Sequence, residues 1–258
     1  MKVGILTDLT KCVGCEACVW ACKDINELPR TDHAKSLSGT TWTTIERHGG
    51  TNVRRHCMHC EEPACASVCP VAAFQKTPQG PVVYLPDRCM GCRYCMIGCP
   101  FGIPKYEWDK PLPLVRKCIM CFDLRVKDGK QPACTSACPT GATIFGERDA
   151  LILEARRRLQ AEPGRYVDHV YGMTEAGGTS VLYISDVPFS KLGFRTDVKE
   201  DPYPKLTWNV LSKLPQVISI WGVTLFGIWW ITNRRDDVAG HEGKGHGHGH
   251  GGQGKASE

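Results

Sequence analysis

Residues Cys12–Cys22 read C-V-G-C-E-A-C-V-W-A-C, and residues Cys89–Pro100 read C-M-G-C-R-Y-C-M-I-G-C-P. Both set four cysteines at intervals x2, x2 and x3, the bacterial ferredoxin run, the second with its terminal proline. Three thiolates spaced this closely can be wrapped by one tight loop around three irons of a cube. Gly14 and Gly91 suit the close backbone approach that this needs. The fourth cysteine enters a new segment and ligates the cluster of a partner motif, so such motifs are expected in pairs.

Two further groups have the same ending. Cys57, Cys60, Cys65 and Cys69 precede Pro70, with two extra residues within Glu61–Ala64; Cys118, Cys121, Cys134 and Cys138 precede Pro139, with twelve residues between the second and third cysteines. Each lengthened loop is expected to form a short hairpin, the second over the charged stretch Asp123–Lys130 with Asp128-Gly129 as its turn. All sixteen cysteines fall in these four groups. Four [4Fe-4S] clusters would take every thiol as an iron ligand and leave none for a nucleophile or a redox switch. Structural zinc sites close with two separated pairs or with histidine and need no third cysteine at x2. Neither zinc nor a disulfide framework explains a fourfold recurrence, and a thioredoxin-like C-x-x-C needs one motif.

The chain has 258 residues, and its 42% hydrophobic content is partly spent on cysteine and on one late apolar run, so a thin core is expected. A net charge of +5 spread along the chain gives no basis for nucleic-acid binding. Met1–Asp8 carries a strand-like GILTDL without an apolar signal core or twin arginine, so export would depend on a partner. No nucleotide loop, acid–base pair or nucleophile constellation stands out, and no catalytic residue is expected.

Trp42–Glu46 and Val53–Arg55 flank a Gly49-Gly50 turn and predict a hairpin; Val82–Leu85 predicts a strand. Together with short helices around the cysteines, this gives an α+β, loop-rich fold with the clusters as its core, unable to fold without iron. Glu147–Gln160 predicts a helix, Ser180–Ile184 a strand, and Val187–Pro204 an irregular strap. From Leu214 to Asn233 no residue is charged, and LPQVISIWGVTLFGIWWIT would span about 28 Å as a helix, enough to cross a lipid bilayer once. Trp208, Trp229 and Trp230 suit the two interfaces, with Lys213 and Arg234-Arg235 as flanks; the flanking charge is balanced and sets no orientation. The tail, with His241, His246, His248 and His250, reads as a solubilising low-complexity segment. Arg93, Lys105 and Lys117 are the cations near enough in sequence to tune the clusters.

The stretches CVGCEACVWACKDIN, RHCMHCEEPACASVCPVAAF, DRCMGCRYCMIGCPFGIPKY, RKCIMCFD and PACTSACPTGATIFG resemble the four-cluster iron-sulfur (beta) subunits of membrane-bound respiratory oxidoreductases: formate dehydrogenases, uptake [NiFe] hydrogenases and dimethyl-sulfoxide-reductase-like enzymes. The resemblance implies two ferredoxin-like bicluster modules. The outer module, residues 1–50 and 103–146, would hold one cluster on Cys12, Cys15, Cys18 and Cys138 and another on Cys118, Cys121, Cys134 and Cys22. The inner module, residues 51–102, would hold Cys57, Cys60, Cys65 and Cys99 on one cluster and Cys89, Cys92, Cys95 and Cys69 on the other. A helix, strand and strap (147–207), a transmembrane helix (208–235) and a disordered tail (236–258) would follow. Cys22 departs from the pattern, since Lys23 follows it where proline is usual, which should loosen the turn.

The resemblance further implies a non-catalytic electron-transfer subunit. It would relay electrons between a catalytic oxidoreductase subunit and an integral membrane cytochrome b or quinone-binding subunit, on the outer face of the cytoplasmic membrane. The opposite flow, into a terminal reductase for polysulfide or dimethyl sulfoxide, is equally compatible with the residues.

Overall fold

The computed structural model describes residues 1–30 and 35–244 and divides into two units, Met1–Leu206 and Thr207–Glu258. The elements of the first unit are β1 (Val3–Asp8), α1 (Ala17–Ile25), β2 (Thr44–His48), β3 (Thr51–Arg55), α2 (Ala64–Ser67), β4 (Phe74–Lys76), β5 (Val82–Tyr84), α3 (Tyr94–Gly98), β6 (Lys105–Tyr106), β7 (Val115–Arg116), α4 (Ala133–Ser136), β8 (Thr143–Glu147), α5 (Arg148–Ala161) and β9 (Val181–Ile184). α6 (Tyr203–Leu211) and α7 (Leu214–Lys244) follow.

The predicted Gly49-Gly50 hairpin is β2–β3, with Thr44 opposite Arg55 and His48 opposite Thr51. Both glycines have positive φ, 54° and 93°, as a tight two-residue turn between antiparallel strands requires. β4–β5 and β6–β7 are two more antiparallel pairs. The short helices pack in twos, α1 against α4 and α2 against α3.

The core is more substantial than composition suggests. β1 is the middle strand of a three-stranded sheet, antiparallel to β8 (Ile5 opposite Phe145) and parallel to β9 (Leu6 opposite Leu182). Leu151 and Ala155 of α5 pack with Leu6, Leu182 and Ile184 on one side of that sheet. On the other side Ile5, Val181 and Tyr183 join Val53, Met58, Met120, Tyr171, Phe189, Leu192 and Phe194. The strap expected at Val187–Pro204 is thus partly core: Phe194 stands edge-on to Tyr171 and Tyr183, ring centroids 4.6 and 5.0 Å away.

Neither lengthened loop is a hairpin. In the Asp123–Lys130 stretch, Arg125 and Val126 amides donate to the Cys121 carbonyl, and Val126–Asp128 forms one 3-10 turn closed by Gly129 at φ 75°. Burying Val126 favours this coiled turn over an exposed ribbon. In the Glu61–Ala64 loop, the Glu61 amide donates to the Gly178 carbonyl, and the Glu61 carboxylate receives Lys2, Lys76 and Ser180.

Tyr203–Asp236 includes one stretch long and apolar enough to cross a membrane by length and composition. Ile218, Trp221, Val223, Leu225, Phe226 and Ile228 are all exposed. Ser219, Thr224 and Thr232 each donate a hydroxyl proton to a carbonyl four residues back, so they bring no unsatisfied donor into an apolar medium. α7 runs through Asp236 to Lys244 as one helix. Trp208 sits on α6, before the break at Ser212-Lys213. His246, His248 and His250 lie outside the described residues.

Candidate iron-sulfur centres

Each cysteine loop contains the same backbone device. The residue before the second cysteine is left-handed in all four: Gly14 (φ 70°), His59 (51°), Gly91 (72°) and Met120 (58°). That turn points amides inward: the Gly14 and Met120 N–H groups donate to Cys12 and Cys118, the latter at 3.3 Å. Sequence reading identified the glycines and missed His59 and Met120, because nothing in those residue types announces a positive φ.

A second device follows each Cys-Pro ending. Ala72 (φ 50°), Gly102 (63°) and Gly141 (62°) stand three residues after Cys69, Cys99 and Cys138. The chain so curled aims consecutive amides at the sulfur, as in an anion-binding nest. Cys69 Sγ accepts the Ala73 amide at 3.2 Å; Cys99 accepts from Phe101, Gly102 and Ile103; Cys138 accepts from Ala142 and Thr143. Burial opposes the Cys138 thiolate, yet these donors and the Thr140 hydroxyl hold its pKa below the ordinary value.

Cys22 has no such nest. Without a proline, α1 continues through Lys23 to Ile25 instead of turning loosely after the cysteine. Asn26 supplies the donor instead, its Nδ2 lying 3.7 Å from Cys22 Sγ. Lys23 is buried, and its ammonium donates to the carbonyls of Pro29 and Thr40 at 2.7 and 3.1 Å.

All sixteen thiols are free of disulfides. Burial raises the Cys12 pKa, and Cys138 and Cys15 raise it further. Cys22 is raised by burial and then by Cys118, Cys134 and Cys121. Cys60 is raised by burial and then by Cys57, Cys99 and Cys65. Cys95 is pushed up to about 12 by burial and then by Cys89, Cys69 and Cys92. Other influences run between these neighbourhoods: Cys134 acts on Cys18, Cys57 on Cys118, and Cys95 on Cys65. One small cavity is bordered by Cys12, Cys15, Cys18 and Cys138 together with Thr7 and Arg54.

The donor set suits iron-sulfur cubes. It is all thiol, and a single ion would need sulfurs only about 3.8 Å apart for tetrahedral bonds of about 2.3 Å. No group of three or more His, Cys, Asp or Glu among the described residues could hold one metal ion; a cube spaces its four thiolates more widely. Raised thiol pKa values are overcome when metal binding displaces the proton.

The cations stand differently from their sequence reading. Lys117 is buried, donates to the Val82 and Cys118 carbonyls, and lies beside Cys65. Arg93 is exposed and covers Tyr106 and Trp108, 5.4 Å from each ring centroid. Arg54, His56 and His59, all buried next to these loops, were not singled out by sequence. His59 Nδ1 accepts the Val82 amide at 2.9 Å, which places the neutral ring's proton on Nε2.

The 4Fe-4S dicluster domain family matches residues 51–148. The chain is 38% identical over 236 residues to the Hydrogenase-2 operon protein HybA of Escherichia coli O157:H7, covering 74% of this chain and 72% of that protein. It is 35% identical over 235 residues to the nitrate-inducible formate dehydrogenase iron-sulfur subunit of Escherichia coli K12, covering 83% and 79%. To the formate dehydrogenase iron-sulfur subunit of Haemophilus influenzae it is 30% identical over 268 residues, covering 93% and 85%. With this extent of likeness and its cysteine loops, the chain belongs to the 4Fe-4S iron-sulfur subunits of respiratory oxidoreductases.

Proposed function

We propose that the chain is a four-cluster relay joining a catalytic subunit to a quinone-reactive membrane partner. The first cluster rests on Cys12, Cys15, Cys18 and Cys138, and the second on Cys22, Cys118, Cys121 and Cys134. The third rests on Cys57, Cys60, Cys65 and Cys99, and the fourth on Cys69, Cys89, Cys92 and Cys95. The observation that carries this reading is the line of thiol neighbours: Cys18 with Cys134, Cys118 with Cys57, and Cys65 with Cys95. Each pair joins two successive sets, so four centres follow one another without a branch. The helix pairs α1–α4 and α2–α3 support a two-module arrangement, outer and inner.

Bound [4Fe-4S] cubes would supply reversible one-electron transfer, and a cube with one thiolate on each of its four irons offers no open position to a substrate. The protein's part is to hold the thiolates, donate amide protons to them and exclude water. Catalysis then belongs to another subunit. The relatives' names support a hydrogenase or formate dehydrogenase as the catalytic partner; on this reading electrons arrive from it and leave through a membrane cytochrome b or similar subunit. The long apolar helix supports anchorage in the membrane; the outer face is taken from the family resemblance.

Purification in mild detergent tests the reading. It predicts about sixteen irons per chain, cubane electron-spin signals on reduction, and co-purification of a nickel or a molybdenum or tungsten subunit. Far less iron overturns the cluster assignment, and a partner reductase reverses the direction. Lysine labelling by an impermeant reagent confined to the inner face overturns the orientation.

A further inference from the structure

Arg54 lies on β3 with only 1% of its surface exposed. Its Nε donates to Thr43 Oγ1 at 3.3 Å, while Nη1 has no hydrogen-bond partner among the described residues. No carboxylate pairs with it among the described residues. A guanidinium does not shed its proton, and burying it unpaired carries a heavy desolvation penalty. The native state must therefore bring negative charge to it.

The thiols that act most on the guanidinium are Cys134, Cys18 and Cys118, and its charge also reaches Cys12, Cys22 and Cys121. Cys18 belongs to the first proposed set, and Cys134 and Cys118 to the second. Arg54 also borders the cavity of Cys12, Cys15, Cys18 and Cys138. Lys117 and Lys23, the other buried lysines beside the cysteine loops, already have their ammoniums on backbone carbonyls.

We propose that Arg54 is a fixed cation shared by the first and second clusters, stabilising the reduced form of both and aiming its unpaired N–H at their sulfur. This rests on the four-cluster reading. Each reduction adds one electron to a centre that is already anionic, so a nearby positive charge that cannot leave favours the electron's arrival. Arg54 thus acts as a positioning residue for charge, without touching a substrate.

The test is a dithionite titration of the full-length holoprotein in detergent, followed by electron-spin resonance, for the wild type, Arg54→Met and Arg54→Gln. The expected result is that two of the four one-electron steps become at least tenfold less favourable, a fall of 59 mV, and the other two hold. The Arg54 carbonyl, which accepts the Tyr183 hydroxyl at 2.9 Å, is kept in both variants. Selective loss of about half the iron in both variants, with two clusters intact, would equally place the charge at two centres. Unshifted potentials, an even shift across all four, or loss of every cluster in both variants overturns the proposal. Wild-type iron far below sixteen per chain would instead sink the underlying reading.

Discussion

The side-chain amide of Asn26 reaches Cys22 Sγ at 3.7 Å while also donating to the Cys22 carbonyl at 2.8 Å. It stands in for the backbone nest that Cys69, Cys99 and Cys138 have and Cys22 lacks. Asn26→Leu is expected to lower the potential of one cluster by about 40 mV, the one-electron equivalent of a hydrogen bond of about 1 kcal/mol. A redox titration with four unchanged steps would refute this role.

The interleaved assignment makes double variants non-additive. Cys22→Ser with Cys134→Ser should cost about one cluster, roughly four irons, because both serve the second centre. Cys22→Ser with Cys18→Ser should cost about two. Iron analysis showing equal losses in the two doubles would contradict the pairing.

Gly14 has φ 70°, and a Cβ there would lie 2.6 Å from Asn52 Oδ1. The Asn52 amide holds the Cys12 carbonyl at 2.9 Å. Gly14→Ala is therefore expected to destabilise the first loop by about 1–3 kcal/mol, with iron loss from one cluster. Full iron content and an unchanged melting temperature would count against it.

His169 Nε2 meets Glu175 Oε1 at 2.6 Å. That hydrogen bond raises the histidine pKa, with burial opposing. For Glu175, burial pushes upward, but His169 and the Gly172 amide outweigh it and leave the carboxyl lowered. The histidine contribution is complete below about pH 6.5 and fades as pH rises through the higher native value; the glutamate contribution is complete above about pH 4.3 and fades as pH falls through the lower native value. With the imidazole 41% exposed, the effect should stay under about 1 kcal/mol. A small fall in melting temperature from about pH 6 to about pH 8 is expected, flattened in His169→Gln. An identical slope in both proteins would discount the pair.

The cysteine intervals, the Gly49-Gly50 hairpin and α5 were legible because each is written in contiguous residues. The central sheet was not: β1 pairs with β9 in parallel, and no local pattern specifies a partner so distant in sequence. Arg54 follows buried Val53 in a strand, so alternation reads it as a solvated charge; its face instead meets thiols. The missing proline after Cys22 was visible, but its consequence is a longer helix and a substituted donor, which depends on Asn26 being within reach.

Among the described strands β1 is made before the others of its sheet and is among the last to be completed, since its two neighbours are β8 and β9. On the proposed ligand sets, Cys12, Cys15 and Cys18 leave the ribosome long before Cys138 exists to close their cage. A nascent chain therefore carries an incomplete, oxidisable set of thiols through most of translation. With those sets, metal loading is a late event in the life of this polypeptide, and a cell that makes it must keep those early sulfurs reduced until the far end of the unit arrives.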